Sequence, residues 1–126
     1  MKKTILFALL VVLFVATANA QLTDTKWRNA MNIPDPIETI LHFKKDSVSL
    51  FIAGDGSLVE TMSYKISNDT LKLTKISGMS PCNESVVGIY RIGIKDDKMT
   101  IVALVDDCVE RFNAFKPEPW VKEKNN

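Results

Sequence analysis

From Thr25 onward, apolar and polar residues alternate with a period of two, in short segments divided by Gly, Asn, Asp and Pro. Val48, Leu50 and Ile52 share one face of their segment, with Ser47 and Ser49 on the other. Met62, Tyr64 and Ile66 oppose Thr61, Ser63 and Lys65 in the same way; Leu71 and Leu73 oppose Lys72 and Thr74, and Tyr90, Ile92 and Ile94 oppose Arg91, Gly93 and Lys95. The pattern predicts strands at 25–30, 37–44, 47–52, 58–67, 71–77, 86–94 and 99–105, with a last one inside 109–122. The breaks carry turn chemistry: Gly54-Asp55-Gly56, Ser67-Asn68-Asp69 and Lys95-Asp96-Asp97-Lys98 favour positive φ or side-chain caps. Helix is expected only as a short turn over 107–115, with Cys108, Arg111 and Phe112 on one side.

One oily and one wet face is the signature of an antiparallel sheet. Without helices to cover it, such a sheet must close on itself, and the expected fold is all-β: an eight-stranded up-and-down antiparallel barrel. Successive connections then alternate between the two ends. The loops near residues 31–35, 53–57, 78–86 and 106–119 fall at one rim, and tight turns at Asp46, Asn68 and Asp97 at the other. Binding residues concentrate on loops held by a rigid scaffold, which makes Asp35, Asp55, Asn83, Asp107 and Arg111 the rim candidates. Trp27, Leu41, Phe43, Leu50, Met62, Tyr64 and Tyr90 point inward. Eight strands enclose a space that side chains just fill or that holds one small ligand, and residues this bulky leave room chiefly near the mouth. The candidate ligand-lining residues are Trp27, Phe43, Tyr64 and Tyr90.

The meander also places the only two cysteines, Cys82 and Cys108, in loops at the same end. A disulfide between them closes a loop of 26 residues and is expected to contribute about 3–4 kcal/mol on the chain-entropy model. Oxidising surroundings are implied by the first 20 residues: Lys2 and Lys3, an apolar run from Ile5 to Ala16, then Ala18-Asn19-Ala20, the form of a cleavable secretory signal. The run is shorter than the roughly 20 residues of a membrane-spanning helix. The expected mature domain is residues 21–126, in the periplasm or secreted. Its formal net charge falls from +1 to −1 with the loss of Lys2 and Lys3, which gives no electrostatic reason to expect nucleic acid or an anionic membrane as partner.

Thr25-Lys26-Trp27 at the first strand, Ser80-Pro81-Cys82 leading into Val87-Gly88-Ile89-Tyr90, and Asp106-Asp107-Cys108-Val109-Glu110-Arg111 followed by Trp120 together give the chain its family likeness. It resembles the small bacterial lipocalin-like proteins of the calycin group. Lipocalins carry Gly, any residue, then Trp at the first strand and a late Arg packed over that Trp; here Thr25 stands where the glycine would be, and the chain is short for the group. The resemblance implies an eight-stranded meander with an apolar pocket and names no ligand.

Catalytic chemistry is poorly represented. His42, the single histidine, alternates outward beside Lys44, so neither a nucleophile–base pair nor a zinc site built on the cysteines has its ligands. Asp106, Asp107 and Glu110 match no calcium-loop spacing, and the Asn68 and Asn83 sequons read as turns. No metal or cofactor is expected. The expectation is a monomeric, non-catalytic binding protein for a small apolar molecule. The alternative is a protein-binding module, such as a secreted protease inhibitor working through Gln21–Asp24 and the 53–57 loop.

Overall fold

The computed structural model describes residues 21–124; the expected export signal at residues 1–20 lies outside the described residues. The strands run in sequence order: β1 (Thr25–Asn32), β2 (Pro36–Phe43), β3 (Ser47–Ile52), β4 (Leu58–Ser67), β5 (Thr70–Gly78), β6 (Val87–Lys95), β7 (Lys98–Val105) and β8 (Trp120–Lys122). Each pairs antiparallel with the next and β8 also pairs with β1, so the sheet closes into an up-and-down barrel. A six-residue helix, α1 (Val109–Ala114), interrupts the β7–β8 connection.

The alternation sets the inside. Leu41 and Phe43 of β2, Val48 and Leu50 of β3, Met62 and Tyr64 of β4, Leu71 and Leu73 of β5 and Tyr90 and Ile92 of β6 are all buried, while Ile52, Ile66 and Ile94 at the strand ends pack on this core half-buried. Asn68 and Asp96 take φ of 57° in the tight turns, a left-handed conformation that short polar side chains tolerate. The last strand is only three residues long, because Pro117 and Pro119 cannot donate to a ladder and pairing begins at Trp120. That residue, fully buried, nonetheless completes the closure opposite Met99.

Two local expectations are corrected. Strand β1 continues to Asn32, which brings Met31 into the core. Helix α1 buries Arg111 and Ala114 rather than Phe112: the covered stripe steps by three from Cys108 through Arg111 to Ala114, and Phe112 turns outward.

The tight-turn end is plugged. Leu22 is fully buried, the Asp24 N–H donates to Phe43 O at 2.9 Å, and Phe43 meets Tyr64 edge-on at 5.3 Å between ring centroids. Thr25 has a task of its own: its hydroxyl donates to Leu22 O and accepts from Trp27 Nε1 at 2.8 Å. The buried indole N–H is thereby satisfied. Among the described residues, no helix is long and apolar enough to cross a membrane.

Cys82 and Cys108 form the disulfide, with Cα atoms 5.4 Å apart, and so tie the β5–β6 loop to the start of α1. Replacing both cysteines by alanine is expected to lower the unfolding free energy by about 3–4 kcal/mol, measured by urea denaturation. Thr25→Val, which keeps the shape of the side chain but removes its hydroxyl, leaves the Trp27 N–H without a partner; the same measurement should register a loss of about 1–3 kcal/mol.

Candidate functional site: a cavity at the barrel mouth

Two irregularities in the sheet open its upper half. Leu50 lies opposite Glu60 and Phe51 opposite Leu58, so Val59 is an extra residue in β4, and both Val59 and Glu60 are buried. Across the next seam Thr61 pairs with Ser77 and Met62 with Lys75, which leaves Ile76 as the extra residue in β5. Bulges of this kind bend a strand and re-aim its side chains. Residues directly opposite in an antiparallel pair share a face, so Lys75 faces inward with Met62.

Glu60 and Lys75 therefore meet on the inner wall. Lys75 Nζ lies 3.6 Å from Glu60 Oε1, with the two side chains only 11% and 6% exposed respectively. The Ser80 hydroxyl donates to the same carboxylate oxygen, and Lys75 Nζ donates to Ser80 O at 2.5 Å. Gly78 permits this arrangement. Its φ is 138°, and a Cβ there would lie 2.6 Å from Glu60 Cα, so only glycine lets the end of β5 cross so close to β4 and deliver Ser80 to the carboxylate.

Below the rim is a cavity of about 520 Å³. Met31, Ile33, Leu50, Val59, Met62 and Phe115 supply most of its apolar wall; Asn32, Glu60, Ser80 and Arg111 are among the polar residues that reach it. A volume of this size and a wall of this composition match the usual small-molecule pocket, a mostly apolar hollow of about 300–1,000 Å³ with a few placed polar groups.

The far side of the mouth is built on Asp106. Arg111 Nε and Nη2 donate to its two oxygens at 2.6 and 2.9 Å, the Cys108 N–H donates at 2.9 Å, and the Tyr90 hydroxyl donates to Oδ2. Arg111 Nη2 also reaches Val86 O at 3.1 Å. Gly88 makes room: a Cβ at that position would collide with the Asp106 carboxylate and with Tyr90. Burial pushes the Asp106 pKa up, but the hydrogen bonds from Arg111, Tyr90 and Cys108 outweigh it and hold the group below the usual carboxylate range. Burial and the neighbouring Asp106 both push the Tyr90 phenol up, well above its ordinary value. This cluster is saturated on the carboxylate side. Arg111 Nη1 and Trp120 Nε1 are the buried side-chain nitrogens left without a partner among the described residues.

The structure sorts the sequence candidates. Trp27, Phe43, Tyr64 and Tyr90 are buried as expected, but none lines the cavity. Parity placed them correctly and depth did not: Phe43 and Tyr64 fill the plugged end, Met62 stands between Tyr64 and the hollow, and Tyr90 is covered by Phe115 at 5.0 Å between centroids. Of the rim candidates, Asp35, Asp55, Asn83 and Asp107 are exposed and lie away from the cavity wall. Asp55 and Asn83 instead cap their own turns, accepting from Ser57 and Ser85. Arg111 does line the cavity, yet it is only 5% exposed and committed to Asp106, so it is a wall residue and not an exposed rim contact. Gln21–Asp24, expected as a contact arm, is anchored by the burial of Leu22. His42 is half-buried on its strand; partial burial, then Lys44 and Lys26, lower its pKa. No group of three or more His, Cys, Asp or Glu residues is placed to hold a metal among the described residues.

Glu60 and Lys75 were the residues missed. The signal was present: Glu60 is in phase with Met62 and Tyr64, and Lys75 with Leu71 and Leu73. Two opposite charges at inward positions of neighbouring strands point to a buried pair.

No family model, curated protein or solved structure matches this chain.

Because Asp106 titrates below its ordinary range, its stabilising effect is fully present above about pH 4 and is lost as pH falls further through the lowered pKa. The unfolding free energy should accordingly drop below about pH 4, and drop less in Asp106→Asn. Arg111→Met leaves the carboxylate buried and unpaired, with an expected cost of about 3–5 kcal/mol at pH 7 by denaturant titration.

Proposed function

We propose that the chain is an exported, non-catalytic binding protein of the small bacterial lipocalin-like kind, which takes up one small, mainly apolar molecule in the cavity at the barrel mouth. The observation that carries this reading is the hollow of about 520 Å³ with a largely apolar wall, set within a closed and otherwise filled barrel. Voids in ordinary cores are few and rarely exceed the size of a water molecule, because each one forfeits dispersion contacts. Here strand bulges, a positive-φ glycine and a bridged loop hold open a space many times that size. The walls are rigid strands and a cross-linked helix, so little ordering entropy opposes binding.

The disulfide supports an oxidising location, and the signal-like residues 1–20 support export to the periplasm or beyond. Uptake by a monomer is the simplest form of the reading, since the cavity is built within a single chain. The function rests on shape and apolar surface, with the chemistry of the wall deciding which molecule fits.

Titration with N-phenyl-1-naphthylamine, an apolar fluorophore that brightens out of water, tests the reading. Saturable 1:1 enhancement is expected, along with at least tenfold weaker binding in Ala114→Phe, whose ring enters the cavity from α1. The absence of any saturable response from this probe and from a panel of lipids and aromatic compounds would refute it.

A further inference from the structure

The wall of the cavity is not uniform: beside the unpartnered Arg111 Nη1 it carries a carboxylate acceptor with spare capacity, and that acceptor bears on what the ligand must carry. We propose that the ligand presents an uncharged hydrogen-bond donor, a hydroxyl or an amide N–H, to the carboxylate of Glu60, with its apolar remainder against Leu50, Val59, Met62 and Phe115; this rests on the cavity being the binding site.

Glu60 is 5% exposed and lines the cavity. Its Oε1 takes both the Ser80 hydroxyl and the Lys75 ammonium, while Oε2 has no hydrogen-bond partner among the described residues. A carboxylate oxygen accepts up to two hydrogen bonds, so Oε2, on a side chain that lines the cavity, is free to accept from a molecule that enters it. The donor that satisfies it from inside the cavity comes from the ligand. Ser80 cannot serve twice, since its hydroxyl proton is already committed to Oε1.

Charge decides between a neutral donor and a cation. Lys75 already neutralises Glu60 at 3.6 Å, and Arg111, the cationic residue that lines the cavity, is neutralised by Asp106 at 2.6 Å. The two buried pairs thus carry no net charge, and Glu110, exposed at the rim, is the remaining ionisable residue that lines the cavity. A ligand ammonium would face Lys75 and a ligand carboxylate would face Glu60, each at short range in a poorly screened space. A hydroxyl or amide meets the open oxygen without adding a charge. It gains a charge-assisted hydrogen bond, roughly twice as strong as a neutral one.

Four ten-carbon probes separate the cases: 1-decanol, its methyl ether, decylammonium and decanoate, each measured at pH 7 by displacement of bound N-phenyl-1-naphthylamine. Decanol is expected to bind at least about tenfold tighter than the ether and tighter than either ion. In the double variant Glu60→Met, Lys75→Met, which replaces the ion pair by apolar groups and leaves no charge stranded, decanol and the ether should bind alike, with the ether within about twofold of its wild-type affinity. Equal wild-type affinities for alcohol and ether, tighter binding of either ion, or a preference that survives the double variant overturns the assignment. So does a protein that binds the fluorophore but none of the four, although the cavity reading then stands. Failure of the fluorophore itself to bind removes both.

Discussion

The mouth of this barrel depends on one buried carboxylate. Helix α1 has six residues, far below the length at which a helix is stable alone, and its exposed Val109 and Phe112 contribute little packing. Asp106 holds it in place by gathering Arg111 from within the helix, the Cys108 N–H at its start and the Tyr90 hydroxyl from the barrel wall. The disulfide adds a covalent limit on how far the helix can move, but it fixes only the first residue of the segment; the orientation of α1 comes from the forked guanidinium. With α1 placed, Ala114 and Phe115 close one side of the cavity, and Phe115 covers Tyr90. Tyr90 and Gly88 are therefore linked to the cavity through Asp106 without lining it themselves.

The two buried ion pairs do different jobs. Asp106 accepts from four donor atoms and sits in a gap that a glycine has cleared for it, an arrangement suited to fixing structure. Glu60 and Lys75 form a looser pair on the opposite wall, and only one of the two carboxylate oxygens is occupied. A barrel selected for stability alone would gain from apolar residues at both positions, because the desolvation of a buried pair is rarely recovered in full. In the proposed binding site the pair would choose among apolar molecules, since a matched hydrogen bond discriminates far more strongly than an extra methylene.

Much of this was legible in the sequence because a sheet with one buried face writes its register as strict alternation. The strand order, the closed barrel, the tight turns at Asn68 and Asp96 and the pairing of the cysteines all follow from that period and from the rule that meander loops alternate ends. Depth along the barrel axis was not legible. Alternation separates inside from outside but is the same at the plugged end and at the mouth, which is why Trp27, Phe43, Tyr64 and Tyr90 were placed inward correctly although none of them lines the cavity. The bulges at Val59 and Ile76 were also hidden: one extra residue in a strand leaves no compositional mark, and Val59 reads as an ordinary β-branched strand residue. The burial of Arg111, which the sequence places on the rim, was hidden for another reason. A lone basic residue after a loop looks solvated until the carboxylate five residues earlier is seen to fold back onto it.

The same two bulges explain how a barrel with so many large inward residues is hollow at all. From the level of Met62 down, the inner positions of β2 to β5 are matched in register: Leu73 against Tyr64, Leu71 against Ile66, Phe43 against Val48. Above it the register slips on both edges of β4, so the strand bows outward between Leu58 and Met62, and Val59 and Glu60 both face a space that a regular sheet would have filled with one side chain. Hollow and charge thus share a cause. The distortion that opens the hollow is also what brings Glu60 and Lys75 together beside it, so a substitution that restored regular pairing on β4 would close the cavity and bury its polar group together.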